Sequence, residues 1–310
     1  MKLLPALLLS GVLLTACVDQ DYDLTKADFG NASIGDENSE FKIPLASIHV
    51  SMEEISQDGT DIQALFEEAD IWLPSSADQV DISELSRNAE YRHDLILETI
   101  DEMKTDDRKL NAIVDLTYRS YYAQFAEILG LDPWGTPDPS AYAAAFAQAI
   151  ESEFLAGQIE TLIEQVSSDF LASIRIDSIE YALDPIDLDD TVIDMLCENL
   201  DPEGTPDAKN TLALYGTISS RLPLSMHLEP LFMPADIALS IDVEAGDEPS
   251  RIPETRLYGD DLRSILDGSN VRIPIELGTY YRNFGFDNDS QNQLVIQLHL
   301  VKRGGLKLEF

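Results

Sequence analysis

The chain has 310 residues, with 58 acidic side chains against 20 basic ones and a formal net charge of −38 at pH 7. A body that negative repels nucleic acid and anionic membrane faces, which excludes both as partners of the folded part. It favours solubility and divalent cations, and a solvated acidic coat is the plain account of it. With 44% hydrophobic residues the chain still has the apolar content of a core-forming protein.

Residues 1–16, MKLLPALLLSGVLLTA, set Lys2 ahead of an apolar run from Leu3 to Leu14, closed by the small pair Thr15-Ala16. That order predicts a secretory signal peptide, and the run is too short for a spanning helix of roughly 20 apolar residues. Leu14-Thr15-Ala16-Cys17 resembles the bacterial lipobox. The resemblance implies a diacylglyceryl group on the Cys17 thiol and cleavage before it, so the covalent lipid at Cys17 is the membrane anchor. Two or three acyl chains hold firmly where one does not. The next residues, VDQDYD, resemble the acidic export signal of Bacteroidetes surface lipoproteins, and CVDQDYDL resembles the start of an uncharacterised group of envelope lipoproteins from that phylum. This implies that Asp19, Asp21 and Asp23 form the signal. It also implies the outer membrane as location, cell surface rather than periplasm-facing.

Residues 17–40 are polar and acidic and read as a tether. Phe41, Ile43 and Leu45 alternate, followed by Ile48 and Val50, which predicts a first strand over 41–50. Pro44 makes it an edge strand or a bulged one. The figure recurs in SRLPLSMHL (220–228) and VRIPIELG (271–278), read as further Pro-marked edge strands. From 53 to 173 the spacing turns helical. One helical run spans about Ser83–Leu129, with a turn at Thr105-Asp106-Asp107. A second runs from about Pro139 to Ala172, with Asp138 as N-cap before Pro139. Together they predict a helical hairpin. From 174 to 310 alternation returns, and Gly304-Gly305 predicts a hairpin between the last two strands. The sum is an α+β chain: an antiparallel β-sandwich-like domain (41–52 and 174–310) with a helical-hairpin insertion (53–173).

Chemistry is sparse. His49, His93, His227 and His299 form no HExxH or His-x-His pair, and no nucleophile elbow or phosphate loop is present. Cys197 stands among Val192, Met195 and Leu196 beside Asp194 and Glu198, and reads as a small core residue. In DNDSQNQ, Asp287, Asp289 and Gln291 alternate as hard oxygen ligands for Ca²⁺ should, yet Asn292 and Leu298 stand where a calcium loop needs Gly and Glu. A polar loop is the simpler reading. Trp134 lies in a Pro-rich loop, and Tyr280 and Tyr281 lie in GTYYRNFGF on opposite strand faces; all three are ligand-binding candidates. The expectation is a non-enzymatic, lipid-anchored protein that binds a ligand or partner, a glycan or another envelope protein. The alternatives are a fimbrial or adhesin-like subunit assembling by strand addition and, third, a hydrolase.

Overall fold

The computed structural model describes residues 32–50, 61–135, 138–176, 178–185, 189–246, 249–258, 260–284, 286 and 294–308. The predicted signal peptide, Cys17, Asp19, Asp21, Asp23, Asp287, Asp289 and Gln291 lie outside the described residues. In chain order the elements are β1 (Ala32–Ile34), β2 (Glu40–Val50), α1 (Ile62–Trp72), β3 (Gln79–Asp81), α2 (Ile82–Arg87), α3 (Ala89–Met103), α4 (Asp107–Ser120) and α5 (Tyr122–Ile128). Then come α6 (Pro139–Ile150), α7 (Ala156–Ala172), β4 (Ile179–Leu183), α8 (Asp190–Cys197), β5 (Thr211–Ser220), β6 (Leu224–Leu228), β7 (Leu231–Met233) and β8 (Ile237–Ala238). The chain ends with β9 (Ile241–Val243), β10 (Ser250–Leu257), α9 (Asp261–Leu266), β11 (Ser269–Ile273), β12 (Ile275–Tyr281), β13 (Leu294–Arg303) and β14 (Leu306–Leu308). The fold is α+β, with every strand pair antiparallel among the described residues.

One sheet has the order β10-β5-β13-β2. Leu294, Ile296, Leu298 and Leu300 of β13 alternate inward, and Ile43, Ala46, Ile48 and Val50 of β2 sit opposite them on the same face. The inward phase of β2 changes from odd to even positions because the ladder slips at Leu45, between the Pro44–His299 and Ala46–Leu298 pairs. A bulge absorbs one residue and restores the apolar face. β2 is thus both an edge strand and a bulged one. The other edge, β10, also carries a proline and a register shift, between Ile252 and Thr255.

Two further sheets, β4-β11-β7-β8 and β3-β12-β6-β9, share strands that run from one into the other. Leu231 pairs with Arg272 and Leu228 with Ile275, so the β7–β11 and β6–β12 ladders keep one register across the joint. β8 and β9 keep theirs likewise. Pro230 and Pro274 stand at that joint, where their missing N–H groups suspend the ladder and let the sheet bend. Pro223 lies between β5 and β6. So of the three predicted Pro-marked edge strands only β2 is one; Pro223 and Pro274 mark places where the chain passes between sheets.

Among the described residues the helical part comprises seven helices, α1 to α7, rather than two long arms. Asp61, Asp81, Asn88, Asp106 and Asp138 accept backbone N–H bonds at successive N-caps, so part of the acidic excess serves to start helices. The expected second arm is broken at 151–155, where Glu151-Ser152-Glu153 interrupts the apolar stripe and Phe154 is 77% exposed. The block also lends β3 to β12, with Val80 opposite Tyr280. Phe66 of α1 lies 4.6 Å from the Tyr280 ring, and one continuous core contains both the helices and the sheets.

Two boundaries move. β1 falls inside the segment read as a tether, because Ala32–Ile34 pairs with β14; three residues are too few for alternation to show. The predicted β13–β14 hairpin does not form. Both edges of β13 are occupied, by β5 and β2, so β14 finds its partner in β1, and Gly304 (φ +90°) turns the chain away.

Candidate functional site

The aromatic candidates separate into different environments. Trp134 is 92% exposed. The turn Asp132–Gly135 is nonetheless held: the Asp132 carboxylate accepts the Trp134 N–H at 3.0 Å, the Asp132 carbonyl accepts Gly135 N–H at 3.1 Å, and Tyr122 Oη donates to the same carbonyl at 3.2 Å. A bare indole on a pre-ordered turn presents two apolar faces to solvent at little further entropic cost on binding. The carboxylates of Asp132 and Asp138 flank it along the chain, and both also serve as local caps.

Tyr280 is buried, 2% exposed, and cannot touch a ligand. Its hydroxyl donates to Asp70 Oδ2 at 3.0 Å, and burial together with that carboxylate pushes the phenol well above its ordinary pKa. Tyr280 is thus a core residue rather than a ligand-binding one, because the β12 face that carries it is the one covered by α1. Tyr281, on the opposite face, is half-buried and packs 5.6 Å from Phe284, which is 63% exposed. Phe284 was missed in the sequence because strand alternation gives no warning of the turn at Arg282–Phe284.

That turn rests on a polar junction between α1 and β12. Arg282 Nε donates to Asp70 Oδ1 at 2.6 Å, Nη1 to the carbonyls of Pro74 at 2.5 Å and Ala77 at 3.1 Å, and Nη2 to the Asp70 carbonyl at 3.3 Å. Lys109 of α4 reaches the same helix end, donating to the Leu73 carbonyl at 2.5 Å and the Asp70 carbonyl at 3.2 Å. Burial pushes Lys109 down to about 8, although Glu102 pulls the other way. Two cations thus satisfy the last carbonyls of α1, where the helix dipole is negative. This cluster joins the halves of the fold. Every donor atom named is turned inward on backbone or carboxylate, so its role is architectural.

The histidines lie on three strands and one helix. His93 Nδ1 bonds Glu164 at 2.8 Å, and His299 stacks 5.4 Å from Tyr215. His227 on β6 has the most polar surroundings: Nδ1 is 2.7 Å from Asp242 Oδ1, while Nε2 is 3.5 Å from Ser240 Oγ and 3.7 Å from Glu229. Cys197 is half-buried, and burial first, then Asp194 and Asp260, push its thiol up. Lys302 points into the core beyond it, fully buried, its Nζ without a hydrogen-bond partner among the described residues. Burial pushes that amine down. Among the described residues no group of three or more His, Cys, Asp or Glu side chains is disposed to hold a metal ion, and no helix is long and apolar enough to cross a membrane. Comparison with protein-family models and with curated proteins finds no match to this chain.

Proposed function

We propose that this chain is an envelope lipoprotein, held at the outer membrane by lipid on Cys17, which binds a ligand through exposed aromatic side chains and performs no chemistry of its own. Trp134 carries the reading: a 92% exposed indole on a turn held by Asp132 and Tyr122 is poor as packing and good as a stacking surface. Uncharged glycans fit the chemistry, because sugar C–H faces stack on indole and the acidic body repels anionic partners. The Tyr281–Phe284 pair offers a second surface of the same kind. The two edges of the β10-β5-β13-β2 sheet weigh against assembly by strand addition there. β2 carries Pro44 and a bulge, and β10 carries Pro253 and another, devices that blunt edge pairing.

The test is an intrinsic-fluorescence titration of the mature chain against a panel of neutral oligosaccharides, repeated with Trp134→Ala. A saturable spectral shift that the variant loses supports the reading; binding that survives in the variant at full affinity removes Trp134 from it, and no saturable response to any of the panel removes the glycan.

A further inference from the structure

We propose that proton uptake by His227 fastens the edge strand β9 onto the bent sheet, so that the β8–β9 margin is a pH-responsive latch. The geometry is that of a cross-strand clamp. His227 on β6 is registered opposite Asp242 on β9 and opposite Glu276 on β12. Its Nδ1 meets Asp242 at 2.7 Å, and its Nε2 faces Glu229 at 3.7 Å and the Ser240 hydroxyl at 3.5 Å. Glu276 is engaged by Arg87 of α2. The imidazole is thus faced by carboxylates from the strand on each side and from the joint after its own strand, with Arg87 the cation that reaches this face.

Besides this clamp, β9 is held by the β6 ladder and by Ile241 and Val243 in the core, and its outer face depends on the clamp alone among the cross-strand pairs named. It spans three residues at the edge of its sheet and, among the described residues, pairs only with β6. Ile241 and Val243 point into the core, whereas Asp242 points out and its side chain is 89% exposed. Neutral imidazole donates from one nitrogen, to Asp242, and its Nε2 can only accept, from the Ser240 hydroxyl, with nothing to offer the Glu229 carboxylate. Imidazolium donates from both nitrogens, toward Asp242 and toward Glu229, and offsets those two like charges, Glu276 being paired with Arg87. The Asp242 hydrogen bond raises the His227 pKa above 6.5, with Glu229 adding to it. The sign follows: a raised folded-state pKa gives stabilisation that is complete below about 6.5, the value in the open chain, and is lost as pH rises through the folded value. Strand β9 is therefore tightest in mild acid and looser above neutrality. When it loosens, it uncovers the backbone edge of β6.

The test is amide hydrogen exchange of the mature chain at about pH 6 and about pH 8.5, each rate divided by its open-chain rate, alongside NMR titration of the His227 ring. The expected result is a fall in protection of Ile241–Val243 by about two- to fivefold at the higher pH, the range of an exposed ion pair. His227→Gln and Asp242→Asn, both surface substitutions, are expected to abolish the pH-dependent difference. In Asp242→Asn the ring should titrate lower than in the parent. Protection that is independent of pH in the parent, or an equal fall in His227→Gln, overturns the latch, as does a ring that titrates at or below its ordinary value.

Discussion

Replacing Arg282 by Ala tests the junction between the helices and the bent sheet. The side chain is 16% exposed and donates to the Asp70 carboxylate and to three carbonyls of the α1 terminus and the loop after it. Its removal leaves the Asp70 carboxylate with Tyr280 and exposes the Pro74 and Ala77 carbonyls to incomplete hydration. Orphaning one member of a fully buried pair costs roughly 3–5 kcal/mol. Asp70 is 38% exposed and recovers part of its solvation, which brings the expected loss to about 2–4 kcal/mol. Arg282→Lys keeps the charge but not the fork, and should cost about half as much. The assay is equilibrium urea unfolding followed by the fluorescence of buried Trp72, in a Trp134→Phe background so that one indole reports. A double-mutant cycle with Asp70→Asn should return a coupling of at least about 1 kcal/mol. A loss below about 1 kcal/mol for Arg282→Ala, or zero coupling, would refute the claim that this cluster joins the two parts.

Gly216→Ala should destabilise by about 1–3 kcal/mol or more in the same assay, because the added methyl would lie 2.0 Å from the Gln297 carbonyl oxygen in the central strand pair. Lys109 is held near 8 in the fold against 10.5 in the open chain. The unfolded state therefore binds its proton more tightly, and stability should rise between about pH 8 and 10.5, by up to about 1.4 kcal/mol per pH unit; urea titrations of Lys109→Met should lack that contribution. Trp134→Ala should leave stability within about 0.5 kcal/mol, since nothing in the core is lost, and a larger change would mean the indole packs after all. Cys17→Ala should yield a soluble or unprocessed chain in fractionated cells; a processed form still held at the membrane would sink the lipid anchor.

The α+β class was legible because the two periodicities are written in separate stretches, and Asp138-Pro139 and Thr105-Asp106-Asp107 announced their helix boundaries. The phase change in β2 was visible too, since Phe41, Ile43 and Leu45 fall on one parity and Ile48 and Val50 on the other; what absorbs it, a bulge opposite β13, is a property of the pair. Pro223 and Pro274 look like Pro44 in sequence, and only the strand order separates a sheet edge from a joint. The β13–β14 hairpin failed for the same reason: Gly304-Gly305 permits the turn, but β2 has already taken the edge of β13. Tyr280 and Tyr281 were correctly opposed, yet which one faces α1 depends on Asp70, more than two hundred residues away. Phe284 and the His227 cluster gave no local signal, since both arise where the chain turns or where distant strands meet.

The place of β13 has a consequence for how the chain is made. It is the central strand between β5 and β2, yet it is nearly the last element to be synthesised, and one of its partners, β2, is nearly the first. Until residues 294–303 emerge, Val50 and Ile48 of β2 have no strand to close on, and β5 has β10 on one side only. A sheet whose pairing spans the whole polypeptide folds slowly, because a large loop must close before its contacts repay the entropy. The pairing of β2 therefore waits for the end of the chain, and a truncation before Leu294 should leave β2 and one side of β5 as exposed, aggregation-prone edges.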